Sequence, residues 1–168
     1  DALKLFEETL AFRKRILPPD HPDIAQSMTN LANTYNELGR HDDGLRLEEE
    51  TLAFRKRILP PDHPDIATSM NNLASTYSDL GRYDDALRLN EETLALFKRI
   101  LPSDHPNIAR SMHNVFKLKL NVWISNQLQK FDCDNVFQKK MLQKFKSREK
   151  FFVFLQRKAR KQFKAALK

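Results

Sequence analysis

A single cysteine, three glycines and one tryptophan in 168 residues narrow the field before any motif is read. Cys133 alone can build neither an internal disulfide framework nor a zinc site, so a reducing compartment fits and a cytoplasmic location is expected. Three glycines are too few for the turns of a sheet protein or for a phosphate-cradling loop. No apolar run approaches the ~20 residues of a membrane span. There is no secretory signal, although the sequence starts at Asp1, inside a repeat, which is compatible with a leader further upstream. Gly-x-Ser-x-Gly elbows and Cys/His pairs are also missing, which argues against an enzyme.

What is present is globular in composition, with 40% hydrophobic and 30% charged residues. The net charge of +7 conceals a division. Residues 1–114 hold 14 Lys and Arg against 19 Asp and Glu, a balance of −5. Residues 115–168 hold 15 against 3, a balance of +12. Two domains are expected with that boundary.

The first region copies itself. Shifting the chain by 42 residues lays residues 1–42 on 43–84 with differences at only nine positions: 2, 4, 6, 26, 29, 33, 36, 37 and 41. A third copy begins at Asp85 and holds through Asn114. A period between 20 and 50 residues marks a stacked array, because one unit cannot bury its own apolar stripe. Within a unit, Ile66, Met70, Leu73, Ala74, Tyr77 and Leu80 fall three and four apart, the spacing of one helical face. Gly81 supplies a left-handed stop, and Asp84 or Asp85 starts the next helix. Leu-Pro-x-Asp-His-Pro connectors follow, in which Pro19 is expected to end one helix and Asp20 or His21 to cap the next, with Pro22 in its first turn. Residues 1–17 read as a second helix with Asp1 as its cap and Leu3, Leu10 and Leu17 facing the array, and further repeats are expected to precede them.

After Asn114 the copying stops. Residues 115–128 can continue a helix, and 135–168 read as one or two basic helices, helical or partly disordered. Phe152, Leu155, Ala159, Phe163 and Ala166 make an apolar stripe opposed by Arg157, Lys158, Arg160, Lys161 and Lys164. A genuine extension, and an unrelated sequence joined at a break in the reading of the gene, both fit the abrupt change.

The run Asn-Leu-Ala-x-x-Tyr-x-x-Leu-Gly-Arg-Tyr-Asp-Asp-Ala-Leu at Asn72–Leu87 resembles the tetratricopeptide repeat. The 42-residue period and the connector resemble the long variety found in kinesin light chains and nephrocystin-like proteins. The resemblance covers residues 1–114 and implies an all-α solenoid of antiparallel helix pairs, a superhelix whose first helices line a groove for peptide ligands. It implies an adaptor or scaffold that binds a peptide or protein partner, without catalysis, cofactor or metal. Glu48 and Asn90 depart from the pattern, which prefers a bulky apolar residue there, as Phe6 provides, so those two sites are expected to pack less well.

Five of the nine differences, Gln26/Thr68, Thr29/Asn71, Asn33/Ser75, Asn36/Ser78 and Glu37/Asp79, fall on one side of the first helix, away from the Met28/Leu31/Tyr35 stripe. Arg110, His113 and Lys117 continue that side in the third copy. A ligand groove and an unconstrained solvent face both account for it. Asn30, Asn72 and Asn114 recur beside it, and a carboxamide suits the backbone of an extended peptide. In tetratricopeptide repeats an asparagine at this place often plays that part; the competing role is a local bond within the hairpin.

His21, His63 and His105 recur once per repeat, on the order of 20 Å apart by helix-pair stacking, too far to share a metal ion. A structural role in the turn is expected of them. The acidic pairs Glu7/Glu8, Glu49/Glu50 and Glu91/Glu92 read as solvated faces. The basic extension is compatible with contact to anionic membrane, nucleic acid or an acidic protein, with a simple exposed extension, or with folding back on acidic residues such as Glu48-Glu49-Glu50 and Asp84-Asp85. The rival to groove binding is therefore a spacer whose basic extension makes the functional contact.

Overall fold

The computed structural model describes residues 2–133, 140–141 and 143–165, without the side chains of 130–133, 148, 159–160 and 162–165. The Asp1 cap and the side chains of Cys133, Arg160, Phe163 and Lys164 thus lie outside the described residues. All described regular structure is helical: α1 (Ala2–Ile16), α2 (Pro22–Glu37), α3 (His41–Ile58), α4 (Pro64–Asp79), α5 (Tyr83–Ile100), α6 (Pro106–Cys133) and α7 (Arg148–Ala165). The chain forms two compact units, residues 1–112 and 113–168.

In the first unit each helix packs on its neighbour in sequence, α1 on α2, α2 on α3, α3 on α4 and α4 on α5. This is the stacked, antiparallel helix-pair architecture that the repeat requires. Its core is the predicted stripe: Ile24, Met28 and Leu31 are buried with Leu10, and Leu3, Phe6, Leu17, Tyr35, Leu47 and Phe54 pack around them. One copy later Ile66, Met70, Leu73 and Tyr77 are buried in turn.

The repeated residues that are not apolar turn out to be stitches. Gly39 and Gly81 both take φ +74°, and Arg40 and Arg82 donate their N–H groups to the carbonyls of Tyr35 and Tyr77 at 2.8 Å, the bond that closes a left-handed helix cap. The same arginines lie over those tyrosine rings, at 4.5 and 4.3 Å, and pair with Asp43 and Asp85. Arg55, buried, donates to the Asp65 carbonyl at 3.1 Å and to Ser69 Oγ at 2.9 Å, as Arg13 does to Asp23 and Ser27. In the third copy Phe97 replaces this arginine and is buried.

Helix ends differ slightly from expectation. The second helices begin at His41 and Tyr83, ahead of the aspartates, and the flanking Arg40 and Arg82 make no side-chain cap. At the other end Leu59 and Leu101 adopt extended geometry directly before the first proline of the connector, so that proline ends the helix.

In the second unit α6 buries Val115, Leu118 and Ile124. Phe151 and Leu155 of α7 are buried with Trp123, Leu128, Met141 and Phe145 around them. The stripe therefore starts at Phe151, whereas Phe152 is only half-buried. Ser147 Oγ accepts from the Lys150 N–H at 3.1 Å and starts α7, and Lys146 before it is left-handed at φ 62°. No described helix is long and apolar enough to cross a membrane.

Candidate functional site

The first helices α2 and α4 carry most of the predicted peptide-binding residues. Gln26, Asn33, Thr68 and Ser75 are exposed, and Thr29, Asn30, Asn71 and Asn72 are half-buried. Arg110 is exposed at the start of α6. His113, exposed, and Asn114, half-buried, belong to the second unit.

The three asparagines are in different states. Gln26 Nε2 donates to Asn30 Oδ1 at 3.0 Å, which occupies that oxygen. Asn72 instead faces a cavity of ≈ 10 Å³ between α2, α3 and α4, lined by Thr29, Glu48, Thr51, Ser69 and Asn72. Every lining side chain is polar, and the space suits one water molecule. Thr29 and Asn72, one repeat apart, are the two predicted residues that the fold brings together in this cavity. Asn71 buries its Oδ1 without a partner.

Asn36 does not belong to the free face. Its Nδ2 donates to Glu48 Oε1 at 3.0 Å and to Thr76 Oγ1 at 2.9 Å, linking α2 to α3 and α4. At 100° per residue it lies roughly 80° from Gln26 on the helix, at the edge of the varying side, which is why sequence spacing grouped it there. Glu48 is buried too, with Oε2 unpartnered. Burial pushes its carboxyl up from the ordinary glutamate value, against the bonds to Thr76 and Asn36, which pull it down. Asn90, one copy later, is buried with Oδ1 unpartnered while its Nδ2 donates to the Ala86 carbonyl at 3.0 Å. Poor packing expected at these two positions takes the form of unsatisfied polar atoms.

The acidic runs are less available than the sequence implies. Glu48 is buried, Glu49 accepts from the Tyr77 hydroxyl at 2.6 Å, and Glu50 meets Lys14 at 3.4 Å. Asp85 is held by Arg82 and Arg88. Of the basic residues on α7, Arg157, Lys158 and Lys161 are exposed.

The connector histidines are helix caps. Nδ1 of His21, His63 and His105 accepts the N–H of the residue two places on, Asp23, Asp65 and Asn107, at 3.2, 3.1 and 3.1 Å. Among the described residues no group of His, Cys, Asp and Glu could hold a metal ion.

A family model described as tetratricopeptide repeat matches this chain at residues 1–57, 30–99 and 65–115. Among solved structures, a protein from Podosopora anserina assigned as a kinesin light chain with nearly identical TPR-like repeats is similar in fold. Its TM-score is 0.70 at 23% identity, over 98% of this chain and 78% of that one. A second structure of that protein, carrying a single substitution, matches equally, at TM-score 0.70 and 23% identity. No curated protein matches.

Proposed function

This chain belongs to the tetratricopeptide repeat family, and we propose that it binds a peptide segment of a protein partner along the varying face of its first helices. The observation that carries the reading is Asn72, whose half-buried carboxamide makes no side-chain hydrogen bond to the described residues and lies beside the polar cavity. A peptide backbone offers the donor and acceptor that this group lacks. Asn30, with Asn33 and Gln26 exposed around it, extends the face on α2, and Thr68, Asn71 and Ser75 extend it on α4. The side chains of this set on α2 and α4 are uncharged, and Arg110 at the start of α6 would add a charged contact. The role is that of an adaptor or scaffold without chemistry of its own.

The test uses peptides selected from a displayed library on the full chain. Asn30→Ala with Asn72→Ala should weaken them about thirtyfold, at about 1 kcal/mol per lost bond, with helicity unchanged by circular dichroism. Binding equal to the parent would make both asparagines structural. Asn114→Ala, tested alone, asks whether the third position takes part.

A further inference from the structure

The polar cavity beside Asn72 is short of hydrogen-bond donors. Thr29, Thr51 and Ser69, on α2, α3 and α4, each give their hydroxyl hydrogen to the carbonyl four residues back in their own helix. Those carbonyls belong to Ala25, Leu47 and Asp65, at 3.0, 2.6 and 3.2 Å. Toward the cavity the three hydroxyls therefore present lone pairs. Glu48, 5% exposed, adds Oε2, which has no partner among the described residues. Of the lining side chains only Asn72 carries N–H donors. The deficit recurs one repeat later. Asn71 and Asn90, at the places of Thr29 and Glu48, each bury an Oδ1 without a described partner. Thr93, at the place of Thr51, donates to the Leu89 carbonyl at 2.8 Å. The deficit accompanies the polar residue at 48 and 90, whereas α1 has Phe6 at that place, packed in the apolar cluster around α2.

A buried carboxylate oxygen left without a donor is costly, and a single water can donate twice while accepting once. We propose that one buried water molecule completes this site, donating to Glu48 Oε2 and to a lining hydroxyl, accepting from Asn72 Nδ2, and so turning Asn72 Oδ1 outward to take an N–H of the bound peptide. The outward oxygen rests on the groove function proposed above; the water does not. Asn30 has the reverse polarity, because Gln26 occupies its Oδ1 and leaves Nδ2 for a peptide carbonyl. The two asparagines, one repeat apart, thus ask for opposite groups on the ligand. Residue 48 sets the polarity of the second. Asn36 Nδ2 holds Glu48 Oε1, so an amide in place of the carboxylate would keep its oxygen there and aim its nitrogen into the cavity.

The isotope-labelled full chain, at mildly alkaline pH where Glu48 is ionised, is read by NMR for cross-relaxation between water and the Asn72 Nδ2 protons. A cross-peak with the sign of a long-lived water is expected. Glu48→Leu should abolish it. Glu48→Gln, nearly isosteric and therefore safe for the fold, should move it from Asn72 to the new carboxamide. Peptides selected from the displayed library are then remade with single amide-to-ester replacements. One ester should weaken binding about fivefold, a penalty that Asn72→Ala removes. A parent without the cross-peak, or an Asn72 cross-peak unchanged in both Glu48 variants, would overturn the proposal. So would a melting temperature that rises with sodium but not with choline chloride, because a cation would then hold the cavity. A cross-peak without any ester penalty tied to Asn72 would overturn the outward oxygen. If the library yields no peptide, the groove function fails, and the water signal still decides the site.

Discussion

The hairpins α2–α3 and α4–α5 come from nearly the same sequence, yet they close differently at one end. The first uses Asn36, Gly44 and Glu48, and the second Ser78, Ala86 and Asn90. Asn36 needs the space that glycine leaves and meets the Glu48 carboxylate, whereas Ala86 is packed with no exposure at all. Three substitutions that look independent along the chain are one change made jointly in space. Packing density explains this, because a methyl added at one place must be removed at another.

The two hairpins agree most closely in their apolar core. Leu31 and Leu73 are equivalent and 4% and 3% exposed. Leu31→Ala and Leu73→Ala should each cost about 2–5 kcal/mol in urea unfolding, and by similar amounts. A cost under about 1 kcal/mol at either would show that the stripe is not the core.

The next largest effect lies where they differ. Gly44→Ala should destabilise by about 1–3 kcal/mol through overpacking against Asn36. Adding Asn36→Ser should recover most of that loss, with a coupling of at least about 1 kcal/mol in a double-mutant cycle. Additive costs would mean that the two residues do not share the space.

Glu48 sharpens the contrast through pH. Burial raises its carboxyl in the folded state above the unfolded value, so the folded state keeps the proton over a window where the unfolded chain has lost it. The stability this contributes is complete below the unfolded value and is lost as pH rises through the folded one. Glu48→Gln should remove that slope and stabilise the protein near neutral pH by about 1 kcal/mol. Asn90→Asp, placing an acid in the second hairpin, should create a slope of the same sign. Identical pH profiles for parent and Glu48→Gln would refute the assignment.

The smallest effect concerns the caps, where the hairpins are again alike. His63→Ala should cost about 0.5–1 kcal/mol, and His63→Asp should restore it, since either side chain accepts the Asp65 N–H. Equal losses for Ala and Asp would leave the cap bond without energetic weight.

Much of this protein was legible in its sequence because a repeat reports its own geometry. The period, the glycine stops, the proline connectors and the Met28/Leu31/Tyr35 stripe depend on local rules that hold wherever the residue sits. The turn role of the histidines followed from spacing alone. What spacing could not separate was Asn36 from its neighbours on the varying side, because a helical wheel gives direction but no partner. Only the packing of α2 on α3 and α4 turns Asn36 inward, buries Glu48, and joins Thr29 to Asn72 across one repeat. The same packing distinguishes α1 from α3. Their sequences are nearly identical, but Phe54 lies against α2 and Phe12 stands in the open, because burial depends on a neighbouring helix that no residue within α1 can supply.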